Sequence, residues 1–290
     1  MSGRTIELVA VGAVVGVMMA GTLVAQTRKE LHFNVGAKSA VSVNNPYGSV
    51  SVKPSVSSTV SISAVLSSDK VEIDCSQTGN RVDIQSHLLP GAIEQSGHVD
   101  YEILVPADAS ISLRSTTGPL RAERLHGDMT LEGSAAVVDV RDVTDAHVHV
   151  KTLDGPVTLT NVLEGHVEVD SLSGAITLNR VTGPLVQVIS VSGGINYTGD
   201  FGDSGDYRLT SHSGNIEATV PDSTSADVTA SSVRGEVHDD IPLRPKTHTS
   251  FVVKEGSAFV GTMGRAAVSS TVVLRSFSGK IHLRKRSAKQ

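Results

Sequence analysis

The 290-residue chain has no tryptophan, and only 3% of its residues are aromatic. A core without large rings must be built from many small branched side chains in thin, repeated layers, as in a solenoid. There is one cysteine, Cys75, so no intramolecular disulfide can form. It ends the strand-like run Val71-Glu72-Ile73-Asp74-Cys75, without the cationic surroundings that make a thiol reactive. Charged residues are 19% of the chain and the net charge is -5, which argues against the basic patch of a nucleic-acid binder. Also missing are a Gly-x-Ser-x-Gly elbow, a His-Glu-x-x-His pair, a phosphate-cradling glycine loop and a paired-cysteine zinc signature.

What is plentiful is valine, serine, threonine and glycine. Val and Thr are branched at Cβ and fit a pleated sheet. Gly suits the turns between strands. The N-terminus departs from this composition. Residues 8–25 carry no charge, Arg4 precedes them, and Arg28 and Lys29 follow. Such a segment directs export, either as a cleaved signal peptide or as an uncleaved membrane anchor. Ala25 fits a cleavage point, whereas Leu23 is larger than such a site prefers.

Beyond residue 110 the chain repeats. Turn-plus-strand units begin at Thr117-Gly118-Pro119-Leu120, Ala136-Val137-Val138, Asp154-Gly155-Pro156-Val157, Ser173-Gly174-Ala175-Ile176, Ser192-Gly193-Gly194-Ile195, Ser213-Gly214-Asn215-Ile216 and Arg234-Gly235-Glu236-Val237. One apolar column runs Leu120, Val138, Val157, Ile176, Ile195, Ile216, Val237, and a second runs Ala122, Val140, Leu159, Leu178, Tyr197, Ala218. Between them stand Arg121, Asp139, Thr158, Thr177, Asn196 and Glu217, so apolar and polar residues alternate strictly. The second strand of each unit repeats the logic, with Met129, Val148, Val167, Val186 and Tyr207 inward, and Leu131, Val150, Val169, Val188 and Leu209 after them. A one-residue slip would turn every one of these side chains to the wrong face.

These patterns predict an all-β fold, a β-solenoid of stacked two-strand coils of about 19 residues with irregular β caps at both ends. The expected organisation is a signal peptide or anchor over residues 1–30, an N-terminal β region over 31–110 capping the stack, solenoid repeats over 111–240, and closing strands with a basic tail over 241–290. Gly202-Asp203-Ser204-Gly205-Asp206 reads as a turn insertion. It lacks the spacing and terminal glutamate of a calcium loop.

Asn45-Pro46-Tyr47-Gly48-Ser49-Val50, the strand Tyr101-Glu102-Ile103-Leu104-Val105-Pro106, the serial Ser-Gly-x-Ile units and the closing Ser278-Gly279-Lys280-Ile281 together resemble the bacterial putative-adhesin family of β-strand-repeat cell-envelope proteins, a domain of unknown function. The resemblance covers nearly everything after residue 30. It implies an envelope location and a solenoid-like fold, and brings no catalytic set with it.

We assign no catalytic residue, no cofactor and no metal ligand from the sequence. One face stands out. Asp128, His147 and His166 fall in one outward column, with His149 and Glu168 in the next. Imidazole and carboxylate at this spacing are zinc-type donors. A solvated polar ladder on a sheet face is the expected reading. The expected function is a non-enzymatic, exported adhesin or structural module that binds an envelope glycan or protein and no nucleic acid. Its N-terminal segment contacts the membrane if uncleaved. The alternatives are a polysaccharide-active enzyme on a β-helix-like scaffold, which fold analogy alone suggests, and an envelope-stress sensory or regulatory module.

Overall fold

The computed structural model describes residues 27–241, 243–245, 257–264 and 270–286. The apolar segment 8–25 and the expected strand Phe251-Val252-Val253 lie outside the described residues. Two sheets, of 12 and 13 strands, face each other across one core. Each coil contributes one strand to each sheet, and neighbouring coils pair in parallel. Val157 pairs with Ile176 and Ile176 with Ile195, all three fully buried, so the register read from the alternation is the register of the fold.

A coil turns twice, and the two corners are built differently. The first corner follows the 13-stranded sheet. There a buried Ser or Thr bonds to the backbone three residues on. Thr152, Ser171 and Ser190 donate their hydroxyls to the carbonyls of Gly155, Gly174 and Gly193, at 3.0, 2.9 and 2.8 Å. Ser115, Ser211 and Ser276 instead accept from the amides of Gly118, Gly214 and Gly279. Asn45 holds the corresponding place in an earlier coil, its amide donating to the carbonyls of Gly48 and Val99.

The glycines of this corner are required for space. A Cβ on Gly174 would lie 2.1 Å from the Gly155 carbonyl oxygen, and one on Gly193 would lie 2.1 Å from that of Gly174. The same obstruction links Gly48, Gly118, Gly214, Gly279 and Gly235 to their neighbours. One coil swaps the two small positions. Gly133 stands where Ser or Thr is usual, and the methyl of Ala136 lies 2.9 Å from where a Cβ on Gly133 would be.

The second corner carries the left-handed backbone, and non-glycine residues supply it. Arg124, Asp142, Asn161 and Arg180 have φ of 57°, 54°, 56° and 53°. Asn and Asp tolerate this region best. Their side chains form a ladder of their own, with Asn161 donating to Asp142 at 2.6 Å and Arg180 donating to Asn161 at 2.6 Å. The following residue, Leu125, Val143, Val162 or Val181, turns into the core. In the longer coil, residues 199–205 close this corner instead. Phe201 is buried there against Tyr197 and Tyr207, with ring centroids 4.7 and 5.0 Å away. Burial pushes both tyrosines upward in pKa, Tyr207 to about 12.

The ends depart from chain order. The column that reaches Ile216 passes next to Ile281 and only then to Val237, because Ile281–Lys285 lies between Ile216–Val220 and Val237–Asp239. In the other sheet Ser270–Ser276 lies between Asp206–Ser211 and Ala226–Ser232. The closing strands are therefore the penultimate coil. The N-terminal flank does the same. Ala40–Asn44 and Val50–Ser55 form a coil between Ser110–Ser115 with Leu120–Glu123 on one side and Arg81–Leu88 with Val99–Pro106 on the other. That flank thus supplies two coils of the stack as well as a cap.

Antiparallel strands close both ends. Thr59–Leu66 and Thr27–Asn34 extend the 12-stranded sheet, and Val71–Thr78 ends the other. At the opposite end Ala258–Met263 covers Ala226–Ser232. Charged residues mark two of the outer strands: Arg28, Lys29 and Glu30 on one, Glu72 and Asp74 on another. Charge on an edge discourages pairing with a second sheet. Cys75 sits half-buried in the second of these, and burial raises its thiol pKa, which keeps it in the unreactive form.

Candidate functional site

The outer face of the 13-stranded sheet brings His147, His166 and Glu168 together. The sheet backbone fixes all three anchor points. His147 and His166 are Cα partners on neighbouring strands, and Glu168 follows His166 by two residues, hence on the same face. The imidazole centroids are 4.5 Å apart with the rings tilted by 34°. His166 Nε2 lies 3.3 Å from Glu168 Oε1. One donor atom from each of the three lies within 4.8 Å of the other two. His147 is exposed and the other two are half-buried.

Of the five residues on the face expected from the sequence, the remaining two stand apart. Asp128 is exposed and precedes the strand that starts at Met129. His149 is the Cα partner of Glu168, yet its Nε2 points toward Asp170 Oδ2 at 3.7 Å. That nitrogen is buried and makes no hydrogen bond. Asp170 was missed by the sequence reading. The signal for it was the next outward step along the strand, where it partners Lys151.

Two other surfaces bear on function. On the outer face of the 12-stranded sheet, carboxylates are held by cations: Asp139 by Arg141 at 2.7 Å, and Glu123 by Arg124 at 2.9 Å and Lys53 at 3.7 Å. Along the Ser–Gly corner, one residue per coil projects outward. Leu153, Leu172, Val191 and Val233 are 52%, 48%, 44% and 72% exposed. Between the last two, His212 stacks on Phe277 at 4.9 Å, and the Arg234 guanidinium lies 4.9 Å from the same ring. Six successive coils contribute, so at about 4.8 Å per rung the ridge is about 24 Å long.

The fold and these surfaces define a β-strand-repeat protein with long outward ladders of side chains. The chain belongs to the Toastrack DUF4097 family, whose model matches residues 39–284, a span that includes both inserted coils. This is the adhesin-like group that the sequence motifs resemble. Among solved structures it is similar to "a putative cell adhesion protein from Clostridium sporogenes ATCC 15579", with 13% identity, 90% of this chain and 100% of that chain covered, and a TM-score of 0.28. No curated protein matches the sequence.

Proposed function

We propose that this chain is an exported, non-enzymatic binding module of the bacterial cell envelope, acting as an adhesin or structural element. The observation that carries this reading is the ridge of exposed Leu153, Leu172, Val191 and Val233, with half-buried Phe277 in line with them. A row of apolar side chains held at rung spacing on a rigid stack is the kind of surface that proteins keep for partners. The partner is an envelope protein or glycan. Binding rather than turnover is supported by the paired carboxylates of the 12-stranded face, which are tied to arginine and lysine.

Export rests on residues 8–25. Among the described residues no helix is long and apolar enough to cross a membrane. Deleting residues 8–25 retains the protein in the cytoplasm, and the mass of the mature N-terminus decides between cleavage and anchoring. An unprocessed, soluble cytoplasmic protein would end this part of the reading.

The binding reading is tested by affinity capture from native envelope, using the full chain and a Leu172→Asp, Phe277→Ala variant. The expected result is a defined set of envelope components captured by the first and lost by the second. Identical capture by both proteins would remove the ridge from the argument. Turnover of envelope polysaccharide by the purified chain would replace the reading with an enzymatic one.

A further inference from the structure

We propose that His147, His166 and Glu168 form a binding site for a borderline divalent metal ion, zinc foremost, on the outer face of the 13-stranded sheet. Two imidazoles and one carboxylate are a zinc-type donor set, and three protein ligands leave one position open. Zinc bonds of about 2.0–2.2 Å place tetrahedral ligand atoms about 3.4 Å from one another. His166 Nε2 and Glu168 Oε1 already stand at 3.3 Å. The donor atom of His147 completes the triangle from within 4.8 Å of both. Its side chain is exposed, so the ring is free to turn inward by the remaining distance of about 1.4 Å.

Preorganisation comes from the backbone. Parallel pairing fixes the spacing between His147 and His166, and the strand pleat fixes that between His166 and Glu168. A metal ion would replace the 3.3 Å contact between His166 Nε2 and Glu168 Oε1, taking a lone pair from each of these two atoms. Leu185, the next residue in the His166 column, places an apolar wall beside the site. Asp170 adds a further carboxylate two residues beyond Glu168 on the same face. It also approaches the buried, unbonded Nε2 of His149, which orients that ring away from the metal position. The site is independent of the binding-module reading above.

The test is calorimetric titration of the full chain with zinc chloride, followed by cobalt(II) substitution read in the visible ligand-field bands. We expect a single equivalent to bind with tetrahedral cobalt bands. His147→Ala and His166→Ala should each weaken binding by about tenfold or more, in line with the loss on disturbing a metal site's ligand environment. Glu168→Gln is nearly isosteric and should weaken binding while leaving the fold intact, so loss of binding is not mistaken for unfolding. His149→Ala, and His238→Ala in the Val237–Asp239 strand of the 12-stranded sheet, should bind within about twofold of the parent. Equal heats from the parent and a His147→Ala, His166→Ala double variant would overturn the proposal. So would octahedral cobalt bands, or a loss in His149→Ala as large as that in His166→Ala.

Discussion

Gly193 and Gly194 are adjacent in the chain, and the structure assigns them opposite responses to the same substitution. A Cβ on Gly193 would lie 2.1 Å from the Gly174 carbonyl oxygen, 2.8 Å from its carbonyl carbon and 2.9 Å from the Ser173 oxygen. All three atoms are backbone of the neighbouring coil, so no flexible side chain can yield. Relief requires the two coils to part by about 1.3 Å at this corner, given an ordinary contact near 3.4 Å. The bonds across the gap include Ser192 N–H to Leu172 O at 2.8 Å and Val191 N–H to Ser171 O at 3.1 Å. Within the turn, Ser190 Oγ donates to Gly193 O at 2.8 Å. Overpacking costs about 1–3 kcal/mol and each lost bond about 1 kcal/mol, so Gly193→Ala should cost about 3–6 kcal/mol. A Cβ on Gly194 would meet only the Asn215 oxygen, at 3.7 Å. Gly194→Ala should therefore be neutral, or stabilise by about 0.4–1 kcal/mol through the unfolded chain. Urea unfolding of the full chain measures both, and hydrogen exchange at the Ser192 amide reports local opening of the corner. If Gly193→Ala keeps the parent's midpoint, or Gly194→Ala falls as far as Gly193→Ala, then close approach of backbones is not what the glycine ladder is for.

Ile176→Asp buries an unpaired carboxylate in the central column and should cost more than about 4 kcal/mol, whereas Thr177→Asp, one residue along on the outer face, should cost less than about 1 kcal/mol in the same unfolding assay. Alkaline titration should separate the four tyrosines. Burial raises Tyr101, Tyr197 and Tyr207, the last to about 12, so folding retains protons that the unfolded chain loses near pH 10. The stability from this source is fully present below pH 10 and is lost as the pH rises through the folded values. Tyr47 is raised as well, by burial and by the Glu94 carboxylate, but it is only half-buried and outside the core. Tyrosinate absorbance should rise with unfolding for the three core tyrosines and ahead of it for Tyr47; coincident, gradual ionisation of all four in the folded protein would contradict it.

The middle of the stack was readable because a two-residue period locks sequence to face. Val157, Ile176 and Ile195 hold equivalent places in three successive units, and they pair in that register. The corners were less readable. Glycine suits turns, yet the left-handed backbone of the central coils is carried by Arg124, Asp142, Asp145, Asn161, Glu164 and Arg180, while Gly155, Gly174 and Gly193 are needed for the space they leave. Nothing local in a sequence distinguishes a glycine that must bend from one that must be small. The face of histidines was visible as a column. Which of its members converge depends on side-chain rotation, and so His149 turned out to face Asp170 rather than the His147–His166 pair.

The order of the end coils was beyond reach for a different reason. Ser278-Gly279-Lys280-Ile281 and Arg234-Gly235-Glu236-Val237 follow one grammar, and either would stack on Ile216. Inner coils close over 18 to 21 residues, as in Val157 with Ile176 or Val186 with Tyr207, but Leu209 must find Leu274. Pairing over so long a loop forms slowly compared with local pairing. The arrangement has a compensating effect on the folded state. The last described strand, Ile281–Lys285, would have a ladder on one side only if it sat at the edge. Placed between Ile216–Val220 and Val237–Asp239, it has a ladder on each side, and both must open before it can leave. Ala40–Asn44 is held in the same way between Arg81–Leu88 and Ser110–Ser115. At both ends the outermost coil is thereby an internal stretch of chain, further covered by antiparallel strands. A solenoid has to stop its own growth as well as hold together. Here one device does both, because the strands that cap each end are connected through the coils they protect.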